Sequence, residues 1–410
     1  MRNKNTALIL ASALALGAVG AKAQTAETPK YRRSSLAMVL VDANNFDRKD
    51  VVLRSWNSYP FPDKYDKHNI PFKTLQLSPT TIDVQGIVDL TTGKADVQAD
   101  IDKAIKDNKI GNQLVAAWFN RSANGKFDMK LIQQRGHYNA TELEASVAKQ
   151  QTRGMAALAD AGEELINNTF ISFTRFVFFK NEPVAALISK IAKKEAAERL
   201  AGKPQMAIDA AYKTADAAYE AAKDGQTLFS KTWLYKLVWN DSIAAEFYNV
   251  WDNPAAFDKL DFQLELVGVQ TNSSVLLLAL DGAEAAIHKV EVRNIDKVFA
   301  ELQQKYDVFK PKIPILTSDP LTAQIGMKEG LKGGEKFQVL EMTQDPATGR
   351  TKYVVVGKTK VDKKLVWDNR YNAGEAPEVE VTDKEGNPIA ATTFKKVKKA
   401  QPGMLLKQVK

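Results

Sequence analysis

Residues 170–179 read FISFTRFVFF, a run in which aromatic and β-branched side chains surround only Ser172, Thr174 and Arg175. This composition is typical of a strand in the middle of a sheet. Residues 35–42 (SLAMVLVD) predict a second strand, and Ala283–Phe309 predicts a long amphipathic helix that Pro311 ends. Strands and helices of this kind recur over residues 34–310, so we predict a mixed α/β domain there and an α+β protein as a whole.

An alanine-rich segment, residues 182–223, interrupts this domain directly after the FISFTRFVFF strand. Pro204 divides the segment, which predicts a helical hairpin inserted between strands. Tyr212 and Tyr219 lie seven residues apart on one side of the second helix and are candidates for a partner contact. The alternative, which we favour, is that both tyrosines pack on the protein's own body.

Residues 311–410 have a different character, with short apolar runs separated by turn signals such as Gly333-Gly334 and Gly386-Asn387-Pro388. This pattern predicts a small C-terminal antiparallel β domain, either a barrel or a sandwich. The predicted strands in this domain are residues 321–327, 336–342, 353–358, 365–368 and 404–409. In the preceding domain, the pattern also predicts strands over residues 81–90, 262–269 and 274–280.

The N-terminus has the three parts of a secretory signal peptide, which we assign to residues 1–23. Arg2 and Lys4 precede an apolar run over residues 7–21, and Ala21-Lys22-Ala23 supplies small residues at a cleavage site. The run is shorter than the roughly 20 residues that span a bilayer, and no later stretch predicts a transmembrane helix. We therefore expect an exported protein of the periplasm or the periplasmic face of the outer membrane, with residues 24–33 as a tether.

The composition excludes several kinds of chemistry and shows where the positive charge lies. The chain has no cysteine, which excludes disulfides, thiol catalysis and cysteine-based zinc sites. The formal charge of +8 falls to +5 without Arg2, Lys4 and Lys22. Between Gly386 and the C-terminus there is no acidic residue but a lysine run, namely Lys395, Lys396, Lys398, Lys399, Lys407 and Lys410.

Two interpretations of the lysine run remain open. Lysines are common on a solvated strand edge, where they prevent pairing with other chains, and we favour this interpretation. The alternative is contact with an anionic envelope polymer or with lipid headgroups. A nucleic-acid partner is not expected behind a signal peptide.

No motif predicts a catalytic residue, a metal site or a cofactor. The most unusual polar segment, residues 118–139, carries arginines and aromatic residues around the turn Asn124-Gly125. Such a loop predicts a binding surface, although an ordinary hairpin with a charged rim is the equal alternative. The candidate binding residues are Trp118, Arg121, Arg135, His137 and Tyr138.

Two stretches resemble known envelope proteins. Residues 160–166 (DAGEELI), which precede the FISFTRFVFF strand, resemble the helix-to-strand element of curli-secretion and flagellar-assembly accessory proteins. The C-terminal run from Ile325-Gly326 through residues 366–370 (VWDNR) to residues 403–406 (GMLL) resembles uncharacterised exported envelope proteins of the Bacteroidetes. The resemblance implies α/β units followed by a small β domain, and it brings no catalytic residue with it.

Together these observations predict an exported, non-catalytic scaffold or binding protein of the cell envelope. Its partner would be an envelope protein or an anionic envelope polymer. The alternative is a hydrolase acting on an envelope polymer, whose carboxylates the sequence does not identify.

Overall fold

The computed structural model describes residues 32–128, 162–276, 282–346, 350–370, 381–383 and 385–409. The predicted signal peptide and nearly all of the predicted tether lie outside these ranges. Within them, no helix combines the length and the apolar character needed to cross a membrane.

The first sheet is mixed and contains the FISFTRFVFF segment near its centre. Its order is β2-β1-β4-β5-β6, and β3 pairs with β1 beside β2. β1 runs parallel to β2, β3 and β4, whereas β4, β5 and β6 are antiparallel neighbours. The bounds are β1 (Ser35–Asn45), β2 (Asp66–Lys67), β3 (Thr74–Thr81), β4 (Thr169–Lys180), β5 (Gln226–Leu237) and β6 (Leu264–Leu276).

Helices cover both faces of this sheet because its strands are apolar on both sides. α1 and α9 pack on one face, where Phe170 and Leu302 are fully buried, and α3 and α4 pack on the other, around Phe173 and Leu114. A further helical stretch covers residues 162–167. The helices with complete bounds are α1 (Lys49–Ser58), α2 (Val84–Thr91), α3 (Gln98–Asp107), α4 (Ile110–Trp118), α5 (Asn181–Arg199), α6 (Gln205–Ala222), α7 (Asp241–Val250), α8 (Pro254–Phe257) and α9 (Ala283–Lys305).

The alanine-rich segment forms a helical hairpin, α5 and α6, between β4 and β5. The two strands are direct antiparallel neighbours, and Lys180 pairs with Gln226 at the point where the hairpin begins and ends. Val184 of α5 packs against Ile87 and Val88 of α2. In α6, Ala215 alone is buried, so this helix lies mainly against α5.

The second sheet is antiparallel and lies in the C-terminal region, with the order β10-β9-β12-β7-β8-β11. Its main apolar core draws only on residues from Ile313 to Leu406. With one mixed and one antiparallel sheet beside the helices, the α+β prediction is confirmed. The bounds are β7 (Ile313–Ser318), β8 (Leu321–Ala323), β9 (Lys336–Gln344), β10 (Thr351–Lys360), β11 (Thr392–Phe394) and β12 (Leu405–Gln408).

Five of the predicted strands are wrong in part or altogether. Residues 81–90 are mostly helix α2, because Asp83 caps it by accepting a hydrogen bond from the Gly86 N–H at 2.8 Å. Residues 264–276 form one strand, β6, in place of the two strands predicted over residues 262–269 and 274–280, because residues 270–272 also pair with β5; residues 277–280 lie outside the described residues. Residues 321–327 are a strand only as far as Ala323, and residues 365–368 form none.

Candidate functional site

Trp118, the first residue of the predicted binding surface, is a core residue. Its side chain is fully buried, its Nε1–H donates to Thr169 Oγ1 at 2.8 Å, and its ring stacks on His68 at 4.7 Å. The expectation that it belongs to a binding surface is therefore wrong. The signal was present in the sequence, because apolar residues recur at helical spacing along α4 and end at Trp118.

Arg121 is bound within the protein. Its Nη1 lies 2.7 Å from Asp258 Oδ1, and its guanidinium lies over the Phe257 ring at 4.7 Å. These contacts fasten the turn after α4 to α8. Arg135, His137 and Tyr138 lie outside the described residues, so the structure does not bring the five predicted residues together.

Tyr212 and Tyr219 are half-buried and contact their own hairpin. The Tyr219 hydroxyl donates to Glu182 Oε1 at 3.4 Å, which links α6 to α5. Lys193 lies 5.9 Å from the centre of the Tyr212 ring, and Lys223 lies 5.8 Å from that of Tyr219. A partner contact through these tyrosines stays a prediction.

The lysine run is partly neutralised by neighbouring acids. Lys395 pairs with Asp362 at 2.8 Å and Lys407 with Asp307 at 2.9 Å, and Lys396 likewise pairs with Asp319. Lys395 and Lys396 directly follow β11, whose outer side is itself paired, because Phe394 bridges Val361 and the Lys395 N–H donates to the Lys360 carbonyl at 2.8 Å. The side chains of Lys395 and Lys396 are solvated, but they do not lie on an unpaired strand edge.

The structure instead presents a basic cleft between α9 and the region of the second sheet. It encloses about 460 Å³, a volume within the usual range for ligand sites. The lining comes from two walls that are distant in sequence. The residues are Arg293, Asp296, Lys297, Ala300, Glu301 and Gln304 of α9, and Met327, Lys328, Gly330, Lys332 and Arg370 of the opposite wall.

The first wall follows from the amphipathic pattern of α9. Ile295, Phe299 and Leu302 face the sheet and are buried. Arg293 and Lys297 lie four residues apart and therefore share the opposite, polar face. Burial of the apolar stripe against the sheet thus fixes the direction in which the charged side chains project.

Hydrogen bonds between residues 328–329 and Asn369 hold the second wall in place. The 3₁₀ turn Met327–Glu329 is bound to the segment ending at Arg370, because the Lys328 N–H donates to Asn369 Oδ1 at 2.8 Å. Asn369 Nδ2 in turn donates to Glu329 Oε2 at 2.9 Å. Glu329 is buried, so this network makes the turn a firm support for Lys328.

Gly330 ends the turn and brings it against α9. Its φ of +81° lies in the left-handed region, where glycine is favoured, and its carbonyl accepts from Gln304 Nε2 at 3.1 Å. A Cβ at this position would lie 2.3 Å from Gln304 Nε2. The flexible end of Gln304 could move to admit a Cβ, so the preference for glycine here comes from the left-handed φ.

A buried polar network joins the two walls at one side of the cleft. The Tyr59 hydroxyl donates to Asp296 Oδ1 at 2.7 Å, and Lys328 Nζ lies 3.8 Å from the same oxygen. Lys64 pairs with Asp63 at 2.7 Å and approaches Glu329 at 3.8 Å. The loop after α1 thereby contacts both α9 and the Met327–Glu329 turn.

The charge balance of the cleft favours anions. Five cationic side chains line it against the two acids Asp296 and Glu301, and one of the five, Arg370, is already paired with Asp368 at 2.7 Å. Within the ranges that the structure covers, neither Lys297 of the first wall nor Lys332 of the second has an ion-pair partner, and both are exposed. A ligand with two or more anionic groups could contact both walls at once.

Sequence reasoning missed this cleft because no local pattern marks it. On α9, Arg293 and Lys297 form an ordinary solvated helix face with the single acid Asp296 between them. Lys328 and Lys332 lie among glycines that predict only a turn. The one local sign of the cleft is that α9, which has a strongly apolar buried face, carries charges of both signs on its other face.

No protein-family model matches this chain, and no curated protein matches it either.

Proposed function

We propose that the protein is an exported, non-catalytic binding protein of a bacterial cell envelope, and that the basic cleft binds an anionic envelope polymer. The observation that carries this proposal is the pair Lys297 and Lys332, two exposed cations on opposite walls of one cavity. Export rests on the signal-peptide pattern of residues 1–23. The resemblance to exported envelope proteins points to the same compartment.

A polymer suits the cleft better than a single small anion. The cations come from both walls, so repeated anionic groups along one chain could pair with each wall in turn. Each such pair at an exposed site contributes modestly, and several together give useful affinity. This ligand chemistry belongs to the cleft and does not require the lysine run.

The hydrolase alternative needs two facing carboxylates about 5–10 Å apart across a bound substrate. The two acids of the cleft both lie on α9, and each already accepts a hydrogen bond from the protein itself. Tyr59 donates to Asp296 and Gln270 donates to Glu301. This arrangement supports binding and gives the hydrolase no favoured pair of residues.

The proposal is tested by titrating the chain from Gln24 onwards with dextran sulfate, with neutral dextran as the matched ligand control. We expect binding of dextran sulfate only, at low ionic strength, because the interaction is electrostatic. The double variant Lys297→Glu/Lys332→Glu should raise the Kd at least about tenfold, since two reversed charges cost well over about 1 kcal/mol together.

The control variant Lys398→Glu/Lys399→Glu makes the same change in net charge within the lysine run, where both side chains are exposed. It should leave the Kd within about twofold of the wild-type value. If this variant loses binding and the cleft variant retains it, the lysine run is the binding surface and the proposal is wrong. Equal affinity for dextran and dextran sulfate would contradict it as well.

A further inference from the structure

Asp296 is an acid placed among the cations of the basic cleft. Its side chain is 12% exposed and that of Lys328 is 16% exposed, so their ion pair is largely shielded from water. The Tyr59 hydroxyl holds the carboxylate from the other side. Asp296 therefore neutralises a cation that would otherwise face a ligand.

Several charged groups surround Asp296, and most of them already have partners within the protein. Lys64 neutralises Asp63 and approaches Glu329, and Glu329 accepts hydrogen bonds from the Gly326 N–H and the Asn369 amide. Glu291, one turn earlier on α9, lies on the buried side of the helix. The remaining charged groups that face this part of the cleft are the cations Arg293, Lys297, Lys328, Lys332 and Arg370 and the acid Glu301.

Burial raises the pKa of Asp296 to about 6, even though Lys328 and the Tyr59 hydroxyl both act to lower it. The carboxylate is therefore charged at pH 7.5 and neutral at pH 5. Lysine and arginine side chains keep their charge over this interval.

We propose that Asp296 is a proton-controlled counter-charge of the cleft, so that the anionic ligand binds more tightly when Asp296 is protonated. This inference rests on the proposed function, because it concerns the same cleft and the same ligand. Protonation removes one negative charge and releases Lys328 from its partner. Linkage gives the direction, since an anion bound beside Asp296 favours its protonated form and protonation in turn favours the anion.

The expected change in the Kd is the effect of removing one unit of negative charge from the cleft. We expect the Kd for dextran sulfate to fall about fivefold between pH 7.5 and pH 5.0. Sulfate groups remain ionised throughout this interval, so a change in affinity reports on the protein. An envelope region that becomes acidic would then retain the protein more firmly on its polymer.

The test compares three chains at both pH values. Wild type should bind more tightly at pH 5.0. Asp296→Asn should bind at pH 7.5 about as tightly as wild type does at pH 5.0, with no further gain on acidification. Glu301→Gln is the matched control, because it removes one negative charge from the same cleft but leaves Asp296 in place. It should bind more tightly at both pH values and keep the fivefold difference between them.

Tyr59→Phe offers a second variant that leaves every charge of the cleft intact. Loss of the hydroxyl removes a hydrogen bond that lowers the pKa of Asp296, so the midpoint of the pH-dependent binding should move to higher pH. Wild-type binding that is equal at pH 5.0 and 7.5, yet is still lost in Lys297→Glu/Lys332→Glu, would overturn this inference alone. Absence of binding at both pH values would overturn the proposed function.

Discussion

Helix α9 and helix α6 of the hairpin are both long and amphipathic, but they have opposite roles in the fold. α9 buries a stripe of large side chains against the mixed sheet, among them Ile295, Phe299 and Leu302. In α6, the small side chain of Ala215 is the buried one. Side-chain size on the apolar face therefore separates a helix that builds the core from one that is added to it.

Truncation of one apolar side chain in α9 and one in α6 should reveal the largest difference between the two helices. Leu302 is fully buried, so Leu302→Ala should lower the free energy of unfolding by about 3 kcal/mol. Ile208 of α6 is only half-buried, and Ile208→Ala should cost less than about 1 kcal/mol. Urea unfolding of both variants measures the difference, and equal losses would show that the hairpin contributes to the core as much as α9 does.

The buried face of α9 also carries an acid, so the contribution of this helix to stability should depend on pH. Glu291 is fully buried, and burial raises its pKa to about 8 even though the Ser55 side chain acts to lower it. Its ordinary value is 4.5, so between these values the folded chain holds a proton that the unfolded chain releases. Stability should therefore fall as pH rises from about 4.5 through 8.

Glu291→Gln removes the titrating group and keeps its size. The variant should match wild type near pH 4.5 and be more stable at pH 8.5 by on the order of 3 kcal/mol. Urea unfolding across this pH range is the measurement. Parallel pH profiles for the two chains would show that Glu291 does not carry the effect.

Replacing Glu182–Lys223 with a short Gly/Ser linker tests the hairpin directly. Lys180 and Gln226 already pair, so a short loop can join β4 to β5 without moving either strand. We expect cooperative unfolding to persist, with a loss of about 1–3 kcal/mol because Val184 no longer packs on α2. An aggregated variant would mean that the hairpin belongs to the core after all.

The smallest effect is expected at the tyrosines of α6. Tyr219→Phe removes one long hydrogen bond to the exposed Glu182 and should change the free energy of unfolding by less than about 0.5 kcal/mol. If Tyr212 and Tyr219 contact a partner, their alanine variants should weaken crosslinking to it in envelope fractions while leaving stability nearly unchanged. A large loss of stability would instead identify them as packing residues.

The sequence predicts those parts of the fold in which one local pattern decides the structure. FISFTRFVFF and the apolar stripe of α9 are such patterns, and both elements are where we expected them. The hydrophobic pattern gives a wrong prediction where a short polar stretch is the main signal. Asp83 caps a helix within residues that alternate like a strand, and residues 270–272 have the composition of a turn but pair with β5.

The candidate site could not be predicted in the same way, because it is a product of tertiary structure. Its cations come from α9 and from a glycine-rich turn, and only the packing of α9 against the Met327–Glu329 turn places Lys297 opposite Lys332. Within residues 118–139, where the sequence predicts a binding surface, Trp118 lies in the core and Arg121 forms an ion pair with Asp258. These two residues therefore serve packing within the protein.

The central claim is tested most directly by measuring which lysines a bound polyanion protects from an amine-reactive label, with mass spectrometry identifying the labelled sites. Dextran sulfate should lower the reactivity of Lys297 and Lys332 together, whereas Lys398, Lys399 and Lys213 of the hairpin should react as they do with neutral dextran. Protection of Lys398 and Lys399, with Lys297 and Lys332 still reactive, would contradict the assignment of the cleft as the binding site.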